Sequence, residues 1–453
     1  MGLKIAYIMS RFPHLPETFI MREMTEIASR GEDVLLYPLI FQHDPVVHPE
    51  AAAWIPRAHA EPYISGRILA SNLAVFLKKP LTYLRLLFQI IRENLTNPNF
   101  LVRGVLLFPK VVHFARQMQA EGVDRIHAHY ASHPALAAWV IHELTGLPYS
   151  VTVHAHDIYA RTSMLKTKMR GADFIVAISE FNREFLLSVV SDESLRPKIH
   201  IIHCGINPTK YTTIDSPMRN GNPLEIISVG SLKPIKGQRF LVEACRILRE
   251  RGIPFHCTIV GDGPEMPDVR RRVETHSLSE LITLTGSKDE EQVSRLLPLA
   301  NCYVQPSLAE GLPVAVMEAL CCELPVVATA YAGLIAERAA PSSIRPEEAS
   351  LLINGLSEIY RDTPRAAETA LDLSRRVTCR AGIFELIIPG ETGLLARPAD
   401  PESLADALET LYKNPEKAQQ MAAAGRQRVL NSFDLRQNAG EILSLFHSYS
   451  RQI

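Results

Sequence analysis

The 453-residue sequence has few of the features that mark secreted, membrane-spanning or nucleic-acid-binding proteins. Its seven cysteines form an odd set without a Cys-x-x-Cys pair, which argues against a disulfide framework and favours a reducing compartment. No uncharged apolar run reaches the roughly 18 residues that span a bilayer, and no signal-peptide pattern opens the chain. Lys plus Arg (48) nearly equals Asp plus Glu (49), so no net positive field favours nucleic acid. We therefore expect a cytoplasmic protein.

Apolar strand patterns alternate with amphipathic helix patterns over most of the chain, which is typical of parallel sheets built from βαβ units. The length favours two domains, and the pattern restarts near residue 224 after a polar stretch, 207–223, that is predicted to be a linker. We expect an α/β fold of two doubly wound, Rossmann-like domains facing a cleft, over 1–206 and 224–433. A final helix, 434–453, is expected to pack back on the N-terminal domain. The predicted strands are Leu3–Met9, Val34–Ile40, Arg125–His129, Tyr149–His154, Phe174–Ile178, Glu225–Val229, His256–Val260, Ile282–Thr285, Cys302–Gln305 and Pro325–Ala328.

Two segments interrupt this alternation. Residues 62–120 combine eight Lys/Arg with a single acid, Glu93, and with many large apolar residues in helical patterns. A basic amphipathic segment of this kind favours docking on an anionic membrane surface, although its apolar side could instead pack on its own sheet. Residues 334–382 form a charged, Ala-rich stretch between two Ala-Gly dipeptides, and we expect a helical insertion there. If this stretch were removed, Ala332-Gly333 would join directly to Ile383.

The most informative string covers residues 306–319. A predicted strand is followed by a loop that carries Glu310, and a helix begins shortly after it. The free N–H groups of Val314 and Ala315 at the start of that helix suit a diphosphate. Glu318 lies on the same helix, so two carboxylates bracket the anion site. Carboxylates in these positions suit hydrogen bonds to hydroxyl groups rather than to phosphate.

Glu310 and Glu318 match a Glu-x7-Glu motif, and on this motif the sequence resembles the retaining GT-B glycosyltransferases of family 4. The N-terminal half is similar more loosely, and there it resembles the exopolysaccharide transferases of the colanic-acid type. The other matching stretches are Phe12-Pro13, Glu17-Thr18-Phe19, His154-Ala155-His156-Asp157, Val229–Gly237 (VGSLKPIKG), Ile259–Pro264 (IVGDGP) and Pro389–Leu395 (PGETGLL).

The resemblance implies a role for each matching residue. Lys236 would contact the donor diphosphate and neutralise charge as the nucleotide leaves, Glu310 would hold sugar hydroxyls, and Glu318 would hold the ribose. His154 would contact the reacting sugar. These expectations agree with the chemistry, because breaking a glycosidic phosphate bond needs positive charge beside the departing oxygens. The further expected donor-binding residues are Ser231, Lys233, Gly261, Gly263, Gly311, Val314 and Ala315, and the expected acceptor-binding residues are Glu17, Thr18 and Asp157.

The sequence departs from the family at Ser231, where the family often has an arginine beside the phosphates. Lys233 could supply the missing charge, or it could be a solvated loop cation. Gly261 and Gly263 are expected to let the backbone approach the nucleoside. Met266 stands where the third glycine of a dinucleotide-binding fingerprint belongs, so a dehydrogenase is disfavoured.

Three acceptor-side assignments remain open at this point. Asp157 could orient His154 or bind the acceptor. Glu17 and Thr18 follow the first strand, where loops of parallel sheets face ligands, so they could touch the acceptor or the donor phosphates. An N-cap role for Thr18 is equally compatible with the sequence.

Other functions have local support. His127/His129 and His154/His156 have the spacing that places two rings on one strand face, as in metal sites, so a metal-dependent hydrolase is an alternative. That alternative leaves the Glu310–Glu318 string unexplained. A nucleotide-sugar epimerase or hydrolase of the same fold is a second alternative, and a catalytically inactive membrane-bound scaffold is a third. The chain has no Asp-x-Asp, the usual metal motif of the other main glycosyltransferase fold.

The resemblance and the residues together favour a retaining glycosyltransferase that needs no metal or other cofactor. The expected donor is a UDP- or GDP-sugar, and the expected acceptor is a glycan or a polyprenyl-linked oligosaccharide of cell-surface or extracellular polysaccharide synthesis. Same-face attack, with the leaving phosphate taking the acceptor proton, requires no side chain as a general base. We expect the protein to work as a peripheral protein on the inner face of the membrane, with no nucleic-acid partner.

Overall fold

The computed structural model divides the chain into two compact units. The first unit comprises Met1–Ile178, Phe185–Ile202 and Leu435–Ile453, and the second comprises Ser179–Glu184 and His203–Asp434. Nearly all of the chain is described, and no helix of the described part is both long and apolar enough to cross a membrane. The described residues are 2–13, 18–42, 49–160, 162–213, 223–333 and 344–450.

The first unit is built on a six-stranded, fully parallel sheet with the order β2-β1-β3-β4-β5-β6. Its central strands are apolar runs buried along their whole length, as expected where helices cover both faces of a parallel sheet. The strands are β1 (Lys4–Phe12), β2 (Asp33–Phe41), β3 (Arg125–His129), β4 (Tyr149–Val153), β5 (Phe174–Ala177) and β6 (Ile199–Ile201).

In the described part of this unit, nine helices follow or connect the strands. Three of them, α3 to α5, fill the basic segment 62–120, so its predicted helical character is observed. Proline at the first turn of α4 and α5 fits their starts, because that position needs no hydrogen-bonded N–H. The helices are α1 (Thr18–Ser29), α2 (Pro49–Ala52), α3 (Gly66–Lys78), α4 (Pro80–Glu93), α5 (Pro98–Glu121), α6 (His133–Thr145), α7 (His156–Tyr159), α8 (Leu165–Gly171) and α9 (Glu180–Val190).

The second unit repeats the architecture, with a parallel sheet of order β12-β11-β10-β7-β8-β9. Its strands are β7 (Leu224–Val229), β8 (Phe255–Val260), β9 (Ile282–Leu284), β10 (Cys302–Gln305), β11 (Val326–Thr329) and β12 (Leu394–Ala396). Its helices are α10 (Gln238–Glu250), α11 (Met266–Thr275), α12 (Glu290–Leu296), α13 (Val314–Cys321), α14 (Pro346–Tyr360), α15 (Ala366–Arg376), α16 (Pro401–Lys413) and α17 (Pro415–Ser432).

The predicted insertion contains α14 and α15, which pack chiefly on each other. Its returning end meets the point where it leaves the domain, because the Gly333 N–H donates to the Val377 carbonyl at 3.1 Å. The buried Glu348 carboxylate fastens this return by accepting the N–H and hydroxyl of Thr378 at 2.6 and 2.8 Å. Residues 334–343 lie outside the described part of the chain.

The last helix, α18 (Leu435–Ser450), belongs to the first unit. Its Phe446 is buried, and the Phe446 carbonyl accepts a hydrogen bond from the buried Arg125 guanidinium at 2.7 Å. The sequence-based boundary at residue 206 lies four residues after the structural one, which falls between Ile202 and His203. Most of the predicted linker, residues 214–222, lies outside the described residues.

Residues 179–184 also belong to the second unit, which no sequence pattern predicted. The physical reason is the Glu385 carboxylate, which accepts the backbone N–H groups of Glu180 and Phe181 at 3.1 and 3.3 Å. These are orphan donors at the start of α9, and a carboxylate there compensates for the missing intrahelical acceptors.

Candidate functional site

Lys236 and Glu310 form the centre of the candidate site in the second unit. The Lys236 ammonium donates to Glu310 Oε1 at 2.5 Å. The same oxygen accepts the Ser307 hydroxyl at 2.7 Å and the Gln305 amide at 3.2 Å. The two residues that the sequence singled out independently therefore meet, and Ser307 and Gln305 fix the carboxylate.

The loops that carry this pair are held together by backbone contacts. Lys236 ends a short 3-10 turn, and Gly237 follows it with a φ of 69°. A Cβ atom at position 237 would lie 2.1 Å from the Pro306 carbonyl oxygen, so only glycine permits this approach. The Leu308 N–H also donates to the Ile235 carbonyl at 2.8 Å. Glycine at 237 is thus required to bring the lysine to Glu310.

Glu318 lies in the middle of α13 and is almost buried. Its carboxylate accepts the Tyr211 hydroxyl at 2.8 Å. The exposed fraction of Glu318 is 9%, and that of Tyr211 is 3%. Tyr211 was not among the predicted site residues, because it stands in the linker region, 107 positions before Glu318.

The first N–H groups of α13 could bind an anion, because no side chain caps this end of the helix. The residue before the helix is Pro313, which offers no side-chain cap, and Val314 and Ala315 are partly exposed. The preceding Gly311 is packed against the turn Gly382–Glu385, since a Cβ at position 382 would lie 2.3 Å from the Gly311 carbonyl. The positive end of the helix dipole therefore lies beside the Glu310 loop.

Gly261 and Gly263 have φ values of 142° and 159°, which residues with a side chain rarely adopt. Their Cβ atoms would lie 1.9 Å from the Gly230 carbonyl oxygen and 2.4 Å from the Leu232 carbonyl oxygen. These glycines are needed for close packing of two protein loops, whether or not a nucleoside lies nearby. The side chains of Ser231 and Lys233, in the loop they support, are exposed.

In the first unit, His154 follows β4 directly and is buried, with 6% of its surface exposed. Burial lowers its pKa well below 6.5, so the ring is neutral. Asp157 is still less exposed, and burial raises its pKa to about 6. Its carboxylate accepts the backbone N–H groups of Ala131 at 2.7 Å and His154 at 3.0 Å. Both carboxylate oxygens thus hold the backbone around His154, which agrees with the first of the two alternatives, that Asp157 orients His154. Acceptor binding by Asp157 stays a prediction.

The other two predicted acceptor residues receive little structural description. Thr18 is the first residue of α1, although its side chain is not described, and Glu17 lies outside the described residues.

The metal-site alternative does not fit the arrangement of the histidines. His127 contacts the Ser150 and Thr152 hydroxyls through its two ring nitrogens, at 2.8 and 2.9 Å. His156 is exposed at the start of α7, beyond the end of β4, so it does not share a strand face with His154. Glu23, His127 and His129 do lie close together, but hydrogen bonds to neighbouring side chains account for this cluster.

Comparisons with known proteins assign the chain to a family. The chain matches the family model described as Glycosyltransferase Family 4 over residues 17–210, and that of Glycosyl transferases group 1 over residues 211–370. A further model, described as Glycosyl transferase-like, matches residues 366–444.

Curated relatives match over most of the chain. One is the putative colanic acid biosynthesis glycosyltransferase WcaL of Salmonella typhimurium, 26% identical over 82% of this chain and 94% of the relative. Another is the amylovoran biosynthesis glycosyltransferase AmsK of Erwinia amylovora, 28% identical over 73% of this chain and 84% of that protein.

Solved structures share the two-sheet architecture. A glycosyltransferase from Rickettsia africae has a TM-score of 0.66 at 16% identity and covers 99% of this chain and 98% of its own. Anabaena HepE in complex with UDP and glucose has a TM-score of 0.64 at 15% identity, covering 99% and 100% of the two chains. The family models, the relatives and the two parallel six-stranded sheets agree, and the chain belongs to the GT-B glycosyltransferases of family 4 and group 1.

Proposed function

We propose that this glycosyltransferase moves a sugar, with retention of configuration, from a UDP- or GDP-sugar to a glycan or polyprenyl-linked acceptor of exopolysaccharide synthesis. The observation that carries the proposal is the contact between Lys236 and Glu310 beside the open N-terminus of α13. The names of WcaL and AmsK support the polysaccharide assignment, and UDP with glucose in HepE supports a nucleotide-sugar donor.

The proposed mechanism uses positive charge rather than a metal ion. The Lys236 ammonium and the α13 N–H groups stabilise the negative charge that develops on the leaving diphosphate. Glu310 accepts hydrogen bonds from hydroxyls of the transferred sugar and holds Lys236 in place. The acceptor attacks on the face that the nucleotide leaves, and the departing phosphate takes its proton. Glu318, held by Tyr211, hydrogen-bonds the ribose hydroxyls.

The proposal is tested by product analysis. The purified full-length protein is incubated with a panel of nucleotide sugars and lipid-linked acceptors, and the anomeric configuration of the product is read by NMR. A product with the anomeric configuration of the donor is expected. An inverted product contradicts the retaining mechanism, and an epimerised or hydrolysed donor without transfer supports the epimerase or hydrolase instead. Absence of nucleotide binding by calorimetry favours the scaffold alternative.

The exposed surface of helices α3 to α5 supports a proposal for where the protein binds its acceptor. Helices α3 to α5 expose an unusual number of large apolar side chains, with Leu81 83% exposed. Monomeric proteins rarely expose a large apolar surface without a partner. Within the basic segment 62–120, the exposed large apolar residues are Tyr63, Ile64, Leu69, Leu73, Phe76, Leu77, Leu81, Leu84, Phe88, Ile91, Leu95, Val102, Val105 and Leu106.

Basic side chains lie among these apolar ones, and seven of the eight predicted cations are exposed. Lys110 is the exception, because its ammonium is buried and donates to the carbonyls of Leu39 and Glu61. Exposed apolar residues interspersed with cations suit an anionic lipid monolayer, where the apolar side chains enter the acyl boundary and the cations bind headgroups. We therefore propose that the protein docks peripherally, on the inner face of the membrane, through these helices.

A further inference from the structure

A row of buried side chains leads from the middle of β10 to Glu310. The Tyr303 hydroxyl lies 2.7 Å from Gln305 Oε1, and the two residues alternate along the strand, so their side chains share one face of the sheet. Gln305 Nε2 lies 2.8 Å from Ser307 Oγ and 3.2 Å from Glu310 Oε1. Tyr303, Gln305 and Ser307 are buried, with no more than 3% of each exposed. The row therefore belongs to the core of the second unit and ends at the candidate site.

The carboxylate at the end of the row fixes the direction of its hydrogen bonds. A carboxylate accepts, so the Gln305 amide turns its N–H bonds toward Ser307 and Glu310 and its carbonyl oxygen toward Tyr303. The opposite orientation would place that carbonyl oxygen against the carboxylate. The Tyr303 hydroxyl donates to the Gln305 oxygen, because its other acceptor, the Val229 carbonyl, is farther away, at 3.3 Å.

The two oxygens of the Glu310 carboxylate have different surroundings as a result. Oε1 accepts hydrogen bonds from Gln305, Ser307 and Lys236. Within the described part of the chain no group donates to Oε2, and this atom is not buried. The Glu310 side chain is 14% exposed. A ligand can therefore reach Oε2, whereas Oε1 is already occupied by three donors of the protein.

Lys236 by itself would not produce this arrangement. The last torsion of a glutamate side chain is broad, so a single cation leaves the carboxylate free to exchange its two oxygens. The Gln305 amide and the Ser307 hydroxyl approach the same oxygen from within the core, and they remove this freedom. The Tyr303 hydroxyl does the same for the amide, because without it the Gln305 carbonyl oxygen would be buried beside a weaker set of partners.

We propose that Tyr303 and Gln305 are positioning residues that hold Glu310 Oε1 on the protein side, so that Oε2 is the oxygen that accepts a hydroxyl of the transferred sugar. This inference rests on the proposed function, since transfer is what supplies the sugar. Sugar hydroxyls donate more strongly as the ring gains positive charge in the transition state. The benefit of a correctly turned Glu310 therefore falls on kcat more than on nucleotide binding.

The arrangement is measured without substrate by NMR of the full chain labelled with ¹⁵N-glutamine, with the Gln305 amide signals assigned from Gln305→Leu. We expect both Gln305 amide protons to be protected from exchange with water. Both signals should also move in Glu310→Gln and in Tyr303→Phe. Exchange as fast as that of exposed glutamines, or signals that stay in place in both variants, overturns the inference even if no transfer activity is found.

The kinetic test compares Tyr303→Phe and Gln305→Leu with Tyr412→Phe, which removes a phenol hydroxyl from α16 of the same unit. The donor is the nucleotide sugar that shows turnover in the product analysis. Tyr303→Phe is expected to lower kcat about two- to tenfold, as for the loss of one buried hydrogen bond, and Gln305→Leu at least about tenfold. The control should keep the wild-type kcat, and all three variants should bind free UDP or GDP as wild type does.

Monodeoxy analogues of the same donor show whether the effect acts through Glu310. The penalty for the missing hydroxyl that wild type tolerates least should shrink in Tyr303→Phe and Gln305→Leu, while the penalties at the other positions stay unchanged. Wild-type kcat in both variants, or an equal loss of kcat and of nucleotide affinity, overturns the inference and leaves the proposed function intact. If Gln305→Leu does not fold, Tyr303→Phe decides, because it removes a single oxygen atom.

Discussion

At the scale of single residues, the Lys236–Glu310 pair should control transfer without controlling the fold. Lys236→Ala and Glu310→Gln are each expected to lower kcat at least about 100-fold, because removing one preorganised electrostatic partner costs about 2.7–4 kcal/mol in comparable sites. Steady-state transfer rates measure the effect, with Lys417→Ala and Glu416→Gln, on the exposed start of α17, as matched controls. Near-normal turnover in both site variants contradicts the assignment.

Glu385 offers a prediction about stability rather than rate. Burial raises its pKa from the ordinary 4.5 to about 7, so the folded state favours the protonated form. The unfolded chain releases that proton at lower pH. This group therefore lowers the free energy of unfolding as pH rises from about 4.5 to 7, by at most ~3 kcal/mol.

The test is urea unfolding of wild type and Glu385→Gln at several pH values. The difference in stability between the two proteins should move in favour of the variant as pH rises through this window, and should level off above about 7. A difference independent of pH contradicts the raised pKa. Other groups with a shifted pKa, such as Asp157, titrate in both proteins, so their contributions cancel in the difference between the two free energies of unfolding.

The residues of the site were predictable where a local spacing carries chemistry, as at Glu310, Glu318 and Lys236. The residues that hold them in place were not predicted. Tyr211 lies 107 positions from Glu318, and the hydrogen bond between Gln305 and Glu310 depends on how the loop between them turns. The sequence left Asp157 with two possible roles, orientation of His154 or acceptor binding. The folded chain adds that its oxygens accept the backbone N–H groups of Ala131 and His154, which no local spacing indicates.

At the scale of elements, ten of the twelve strands in the described residues were predicted from apolar runs. The two that were missed, β6 and β12, have three residues each and lie at the edges of the sheets. A run that short gives little periodicity to recognise. The equally short β9 was predicted as part of the slightly longer apolar run Ile282–Thr285. The contact between the Gly237 loop and the Pro306 loop could not be predicted either. The need for glycine at position 237 depends on the Pro306 carbonyl, which lies beside it only in the folded chain.

The exposed apolar and basic side chains of helices α3 to α5 yield a prediction with two separable parts. Changing Lys78, Arg92 and Arg103 to Gln should weaken binding to vesicles that contain anionic lipid by about 1 kcal/mol per charge, roughly 100-fold in total, and should flatten the salt dependence. Changing Leu77, Leu81 and Phe88 to Ser should weaken binding at every salt concentration, because it removes apolar area that the acyl region buries.

Vesicle sedimentation over a range of salt concentrations separates these effects. A control with Arg270 and Lys417 changed to Gln alters exposed cations of the second unit and should bind as wild type. If the wild type binds no anionic vesicles, the exposed apolar face has another role.

At the scale of the whole molecule, the restart of the strand pattern near residue 224 was enough to predict two similar units. The strand pattern could not predict that residues 179–184 belong to the second unit or that the last helix belongs to the first. Residues 179–184 join the second unit because Glu385 binds the start of α9, and α18 joins the first because Phe446 and Arg125 meet. Both assignments depend on contacts between residues more than 200 positions apart, which a local sequence pattern cannot reveal.

The insertion gives the last prediction, which concerns the autonomy of the second unit. Deleting residues 334–382 joins Gly333 to Ile383, and this places a glycine where Gly382 now packs against the Gly311 carbonyl. Because α14 and α15 pack chiefly on each other, their apolar contacts leave with them, and the sheet keeps its own core. The deleted protein should therefore fold with a cooperative thermal transition and bind nucleotide.

Circular dichroism and calorimetry measure these two properties, and deletion of residues 353–373, which removes only the inner part of the two helices, serves as the comparison. Loss of the cooperative transition in the 334–382 deletion contradicts an independent insertion, because it means that the hairpin supports the sheet. A folded deletion variant with altered acceptor preference assigns the hairpin a part in acceptor choice. A folded variant with unchanged kinetics shows that the Glu310 loop keeps its geometry from Gly311 and the glycine packed against it.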